Sequence, residues 1–256
     1  MTEIKEYRMP YQLAYFDCDY TGHLSLEMML MLMILASEKQ NESLGFDLEA
    51  TQKFGGGWVI LDYEGHLQGE LPKDREKIVV GTKICAYNRF FVVRDFWLEN
   101  AAGQRVADVR GLFTFMDLKK RKMAPIPSEI MAPYEQEQTI RLPRPASPDK
   151  VAPEDDWLNK QYQARYADID SNGHVNNARY VEWLLDTLPA GFLADHRLTA
   201  FRLNYRREVV PRSLVTSLLS PIDTTADTVT SQHIIQVDGQ THASASFEWQ
   251  TINKDK

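Results

Sequence analysis

Cysteine is almost missing from this chain: Cys18 and Cys85 are the only two in 256 residues. Two thiols so far apart can build neither a disulfide framework nor a structural zinc site, and a reducing, cytoplasmic setting is expected. Excess positive charge is missing too, the formal net charge being -7. Nucleic acid is therefore not expected as a partner, because phosphate binding calls for a basic face. No apolar run approaches the roughly 20 residues that a membrane span needs. The longest, "MMLMLMILA" from Met28 to Ala36, suits a buried helix. The first residues, "MTEIKEYRMPYQ", show neither an apolar core nor an Arg/Ser-rich amphipathic stretch, so no targeting signal is expected there. What remains, 43% hydrophobic and 25% charged, is enough for one large core or two ordinary ones.

The chain repeats itself. "YFDCDYTGHL" (Tyr15 to Leu24) aligns without a gap on "YADIDSNGHV" (Tyr166 to Val175), at an offset of 151 residues, with Tyr, Asp, Asp, Gly and His coinciding. Further on, "GQRVADVRGLFTF" from Gly103 runs parallel to "GQTHASASFEW" from Gly239. A period this long means duplicated domains and not a solenoid of short repeats. Between the copies, residues 133–155 are rich in proline and charge without periodicity, which reads as an exposed linker. The expected organisation is a first domain over 1–132 and a second over 156–256.

Each half reads as one helix followed by several strands. Ser25 can cap the first helix, Glu27 suits its positive end and Gly45 follows its finish. In the second half Asn176 or Asn177 caps "ARYVEWLLDTL" and Pro189 stops it. Runs such as "GWVILDYEGHL", "KIVVGTKICAY", "RFFVVRDFWLE" and "TSQHIIQV" are rich in β-branched and aromatic residues, as strands are. The first helix is apolar nearly all round and must be wrapped by something. An antiparallel sheet curled around one central helix does this. The expected fold class is α+β, a tandem (double) hotdog.

The stretch from Arg165 to Trp183 gathers Asp168, Asp170, Asn172, His174, Asn176 and Asn177 within a few residues. Asp168, Asp170, Asn172 and Gly173 fall at positions one, three, five and six of a calcium loop. Position twelve, however, is Arg179, and in the first copy Met28, neither of which closes a coordination shell. The better reading is a hydrolytic site. Asp170, Asn172 and His174 are expected on the turn leading into a helix N-terminus, their alternate spacing aiming all three at the side where the free helix N–H groups can stabilise an oxyanion. His174 is the natural base near neutral pH, the unperturbed value being about 6.5. A lone histidine or a lone strand glutamate is ordinarily structural; the combination is what suggests chemistry.

At these residues the sequence resembles the fatty acyl–acyl carrier protein thioesterases of plants and bacteria, which are double hotdogs. The matching pattern is Asp170-x-Asn172-x-His174-Val175-Asn176-Asn177, followed 34 residues after the histidine by Glu208 within "YRRE". "GWVIL" and "VVRDFW" in the first half look like that family's strand segments, so the resemblance covers nearly the whole chain. It implies that Asp170, Asn172, His174 and Glu208 form the catalytic set, that acyl carrier protein delivers the substrate, and that the released fatty acid ends a round of fatty acid synthesis. Plant members often carry cysteine after that glutamate. Here the residue is Val209, which excludes a cysteine nucleophile at that place.

Neither metal nor other cofactor is expected, and a homodimer is left open. Asn176, Asn177 and Tyr180 are read as mostly structural. Met29, Met33 and Trp58 are ordinary core residues that in a hotdog of this type would also border the acyl channel, and Asn176 is the fourth candidate for substrate binding. The basic run Lys119, Lys120, Arg121 and Lys122 is most often a solvated turn, yet it could receive an acidic carrier protein. Two other functions stay open at this point: an acyl- or aroyl-coenzyme A thioesterase, which "FDCDYTGH" also suggests, and a noncatalytic acyl- or metal-binding module.

Overall fold

The computed structural model describes residues 5–170, 173–224 and 228–252. They fall into two compact units, Met1–Pro145 and Ala146–Lys256. The first contains β1 (Glu6–Gln12), α1 (Leu26–Ser43), α2 (Leu48–Gln52), β2 (Gly56–Leu67), β3 (Lys77–Tyr87), β4 (Phe91–Glu99), β5 (Arg105–Asp117), β6 (Lys122–Ala124) and α3 (Ser128–Met131). The second contains β7 (Leu158–Gln163), α4 (Asn177–Asp186), α5 (Ala190–Asp195), β8 (His196–Tyr205), β9 (Leu214–Leu219), β10 (Thr228–Val237) and β11 (Gln240–Thr251).

The two units are built on one plan. Within the first, the antiparallel order is β1-β3-β4-β5-β2, with β6 added to β5. Within the second it is β7-β9-β10-β11-β8, again antiparallel. Strand for strand these orders coincide, and each long helix follows the first strand of its unit. The repeat in the sequence is thus a repeat of topology.

Local chemistry explains the elements. Ser25 caps α1, its hydroxyl accepting the Met28 N–H at 3.2 Å, and Gly45 beyond the helix end takes φ 86°, where a side chain would be strained. The helix lies on β1 and β3. Leu26, Met29, Leu30, Leu32, Met33 and Ala36 form its buried face, and each of the larger side chains contributes about 1.5–3 kcal/mol by leaving water. Met28, Met31, Ile34 and Leu35 are half-buried, so the helix is less uniformly covered than its composition suggests. In the second unit Asn176 is the cap, accepting the Ala178 N–H at 2.9 Å, and α4 packs Tyr180, Val181, Trp183 and Leu184 inward beside β9 and β10.

The expected linker over 133–155 is not free chain. Its first part is tied to the first unit: Tyr134 accepts a hydrogen bond from buried Arg94 at 3.0 Å, the Thr139 N–H reaches the Tyr87 carbonyl at 2.9 Å, and Arg144 lies over the Phe91 ring at 4.5 Å. Farther along, the Asp149 N–H donates to Ser246 Oγ at 3.2 Å and its carboxylate accepts from Gln232 at 3.1 Å. Beyond the short helical turn Ala132–Tyr134 the segment has no regular secondary structure and bonds to the units it borders, and the division falls at Pro145. No helix among the described residues is long and apolar enough to cross a membrane.

One core polar group sets an acid limit. His233 on β10 is fully buried, its Nε2 2.9 Å from Ser231 Oγ, and burial pushes its pKa down to about 3. As pH falls below about 6.5 the unfolded chain takes up a proton there that the folded chain refuses until about 3. Stability therefore drops with pH across that window, by up to about 1.4 kcal/mol per pH unit from this residue. His233→Gln, which cannot protonate, should lose less Tm than the parent protein between pH 6.5 and pH 4. Identical pH slopes in thermal melts would show that His233 is not held neutral.

Candidate active site

The site is founded on a buried carboxylate. After β7 the chain makes a single helical turn, Tyr166–Asp168, and Asp168 turns inward, only 1% exposed. A carboxylate there needs several donors. It accepts the Arg165 N–H at 2.8 Å and the Arg165 guanidinium at 3.1 and 2.7 Å, with Arg179 Nε 3.9 Å away. Burial alone would raise its pKa, but the Arg165 hydrogen bonds and the two cations outweigh that and hold it below the usual range.

From this anchor the chain doubles back. The Asp170 N–H donates to the His174 carbonyl at 2.8 Å, the Gly173 N–H to the Asp170 carbonyl at 3.0 Å, and the Asn176 N–H to the Asp168 carbonyl at 2.8 Å. Gly173 takes φ 81°, which the tight reversal requires. The turn expected ahead of the helix is closed by the bonds between Asp170 and His174 and between Gly173 and Asp170. Asp170 is placed by the loop's own backbone, its Oδ1 3.4 Å from the His174 N–H. Asn172 lies outside the described residues.

Glu208 arrives from the other direction, just past β8. The Val175 N–H meets the Val209 carbonyl at 3.4 Å, and this bond brings Glu208 beside the histidine: His174 Nε2 is 3.4 Å from Glu208 Oε2. The side chains are 20% and 27% exposed, open enough for a substrate or water to reach and closed enough for their attraction to count. A histidine and a carboxylate so placed can take a proton from water and return it to a leaving group. Neither cysteine can compete as nucleophile: both are free thiols, and burial pushes Cys85 up to about 11 and raises Cys18 as well. Among the described residues no cluster of three or more His, Cys, Asp or Glu could hold a metal ion.

The first unit repeats the frame without the chemistry. Asp19 N–H to His23 carbonyl is 2.8 Å, Gly22 N–H to Asp19 carbonyl 3.0 Å, and Ser25 N–H to Asp17 carbonyl 3.0 Å, with Gly22 at φ 80°. The bond from the Leu24 N–H to the Pro72 carbonyl, 2.8 Å, is the counterpart of Val175 to Val209. That correspondence puts Leu71 at the place of Glu208. His23 is held by Thr21, whose Oγ1 is 3.0 Å from its Nδ1 and donates to Asp19 at 2.6 Å, and its Nε2 lies 3.7 Å from the largely exposed Glu70.

The other sequence-derived candidates are dispersed. Met29 and Met33 are fully buried on α1, Trp58 on β2 is half-buried and edge-on to Phe115 at 5.5 Å, and Asn176 spends its side-chain oxygen on the helix cap. Reasoning from sequence passed over Asp168 as a structural anchor and Arg179 as its neighbour. The signal for the first was in the repeat, where both aspartates of "YADID" recur in "YFDCD".

Comparison with known proteins identifies the family and the fold. Residues 4–134 match the model of the acyl-ACP thioesterase N-terminal domain and residues 151–251 that of the C-terminal domain. A solved structure from Lactobacillus plantarum, provisionally assigned as an oleoyl thioesterase, is 34% identical with a TM-score of 0.94 over 99% of both chains. The 12:0-ACP thioesterase of Umbellularia californica, at 20% identity, a TM-score of 0.84 and coverage of 96% of this chain and 98% of that one, shares the fold. A chloroplastic dodecanoyl-[acyl-carrier-protein] hydrolase of Cinnamomum camphora is 27% identical over 175 residues, 62% of this chain and 42% of that protein. The chain spans about half the length of the curated plant relatives it matches. With both domain models matched in order along it, the chain belongs to the acyl-ACP thioesterase family.

Proposed function

We propose that this chain hydrolyses the thioester of fatty acyl–acyl carrier protein, releasing the free fatty acid, and that it does so in the cytoplasm. The observation that carries the reading is the His174–Glu208 pair at 3.4 Å, with both side chains largely sheltered, where the corresponding histidine of the first frame meets only the largely exposed Glu70 at 3.7 Å. Family membership supplies the substrate class.

In this mechanism His174 and Glu208 activate a water for attack on the thioester carbonyl, and the proton taken up is returned to the departing thiolate. Asp170, poised on the loop, either supports the pair or attacks the carbonyl itself; labelled water in a single turnover separates these, because only direct attack leaves the label first on the carboxylate. Asn172 orients the histidine or the water. Met29, Met33 and Trp58 hold the alkyl chain, each methylene buried contributing about 0.8 kcal/mol, and Asn176 contacts the substrate near the thioester.

The test is thiol release from a panel of acyl carrier protein thioesters of graded chain length. Glu208→Gln and His174→Ala should each lower turnover by about 100-fold or more, whereas His23→Ala, in the frame with Leu71 at the place of Glu208, should leave most of it. Near-normal turnover in a folded Glu208→Gln protein would remove that residue from the chemistry.

Recognition of the carrier protein is proposed at the turn between β5 and β6, where Lys119, Lys120, Arg121 and Lys122 are all exposed. Asp117 shapes the turn, its Oδ1 accepting the N–H groups of Lys119 and Lys120 at 3.0 and 2.9 Å. Attraction between this patch and an acidic partner is screened over about 8 Å at physiological salt, so KM for the carrier-protein thioester should rise with ionic strength. Neutralising all four cations should flatten that response and leave the matched coenzyme A thioester's salt response unaltered. An unchanged carrier-protein response would place docking elsewhere.

A further inference from the structure

The loop that carries Glu208 has no regular secondary structure, yet its main chain is bonded on each side of that residue. The N–H groups of Arg206 and Arg207 donate to the His242 carbonyl at 2.8 and 3.1 Å. On the other side, the Val209 N–H donates to the phenol oxygen of Tyr180 at 2.7 Å, and the same hydroxyl donates to the Arg207 carbonyl at 3.4 Å. One side chain therefore touches the residue before Glu208 and the residue after it. Tyr180 sits in the first turns of α4, the helix that begins just after His174, so the phenol ties the glutamate's loop to the element that positions its histidine.

The phenol is itself fixed. Tyr180 is 2% exposed, edge-on to Tyr205 at 5.5 Å and tilted against Trp183 at 5.7 Å, while Tyr205 donates to the Asn177 carbonyl at 3.3 Å. Burial pushes its ionisation well above the ordinary range, so the hydroxyl keeps its proton and can donate and accept at once.

The duplicated half shows that the fold does not require this clamp. At the repeat offset Tyr180 corresponds to Met29, a fully buried residue on α1 with no hydroxyl. The loop after β2 nevertheless reaches the same place, with the Leu24 N–H on the Pro72 carbonyl at 2.8 Å and the Leu13 N–H on the Glu76 carbonyl at 3.0 Å, against Ala164 on Ser213 at 2.9 Å in the second unit. Arg75 and Arg212, both at φ 68°, occupy matching positions in the two loops. The same turn thus closes over methionine in one half and tyrosine in the other. The half with the tyrosine has Glu208, and the half with the methionine has Leu71.

We propose that Tyr180 is a positioning residue for catalysis, holding the main chain on both sides of Glu208 so that its carboxylate stays within reach of His174. This rests on the thioesterase reading for its kinetic consequence, although the placement of the two side chains does not. Removal of the hydroxyl leaves the Val209 N–H without its partner and frees the loop. The glutamate then spends less time against the histidine, and a loss of alignment of this kind costs up to about 100-fold in rate.

The experiment is a double-mutant cycle read in two ways. Tyr180→Phe and Tyr180→Met, the latter copying the residue that the first unit buries at this place, are made alone and with Glu208→Gln, and each is checked for folding by thermal melt. With acyl carrier protein thioester, either Tyr180 variant should lower kcat by about 10- to 100-fold with KM within about twofold, and should lower it no further once Glu208 is glutamine. Independently of activity, the imidazole NMR resonances of His174 should move in Glu208→Gln and in the Tyr180 variants, those of His23 should stay in place, and adding a Tyr180 change to Glu208→Gln should produce no additional movement. The proposal is overturned if the kcat loss persists undiminished in the Glu208→Gln background, if KM alone changes, or if His174 responds to Glu208→Gln but not to loss of the phenol. A parent protein without thioesterase activity would defeat the functional reading, and the resonances would still decide the role of Tyr180.

Discussion

A buried carboxylate at the mouth of each long helix is the constraint on which the rest depends. Asp168 and Asp17, 1% and 0% exposed, receive the backbone N–H of the residue three positions earlier at 2.8 Å and thereby shape the single helical turn that redirects the chain. Their carbonyls then receive the N–H of Asn176 and Ser25, the residues that cap α4 and α1. An ionised group so deeply placed costs several kcal/mol unless it is fully partnered. In the second unit Arg165 and Arg179 partner it. In the first, Tyr11 reaches Asp17 at 3.2 Å, and one oxygen has no hydrogen bond among the described residues. The same turn is thus supported by charge in one half and by a phenol and an amide in the other.

Duplication separates what the fold needs from what the chemistry needs. Both halves keep the buried aspartate, the left-handed glycine, the histidine and the backbone bond linking the pre-helix residue to the neighbouring loop. They differ in side chains on and beside the site: Glu208 against Leu71, Tyr180 against Met29, and the cap Asn176 against Ser25. None of these differences disturbs topology, since the strand orders correspond throughout. The first unit has traded polarity at these positions for an apolar, thioether-rich helix, which suits the holding of an alkyl chain better than the movement of protons.

Much of this was legible before any coordinates. The tandem hotdog followed from the 151-residue offset and from a helix too apolar to stand alone, and both helix caps were readable from Ser25 and Asn176. The comparisons show the family that the Asp170-to-Glu208 pattern had suggested. What could not be read were contacts set by backbone closure. For 170–174 a turn into the helix was expected, but not the Asp170–His174 backbone bond or the positive φ of Gly173 that close it. Residues 133–155 looked like linker because proline and charge hide the few side chains, Tyr134 and Asp149 among them, that tie it down. Tyr180 read as filler, since nothing in a helical pattern reveals that its hydroxyl reaches a loop 29 residues away.

The pairing of His174 with Glu208 illustrates why such reach matters. At 3.4 Å, with both side chains about a quarter exposed, the attraction between them is modest: water screens it, and exposed pairs of this kind contribute at most about 1 kcal/mol. So weak an attraction cannot by itself hold a glutamate on an irregular loop in one geometry. The alignment has to come from the main chain, where the N–H groups of Arg206, Arg207 and Val209 and the carbonyls of Arg207 and Val209 are all engaged around Glu208. The bond from Tyr180 to the Arg207 carbonyl is partly shielded from water, and the Val209 N–H to Tyr180 bond is buried. Alignment is thus supplied from the protected side of the loop, through the helix that also carries the chain on from His174, and does not depend on the attraction between the two side chains.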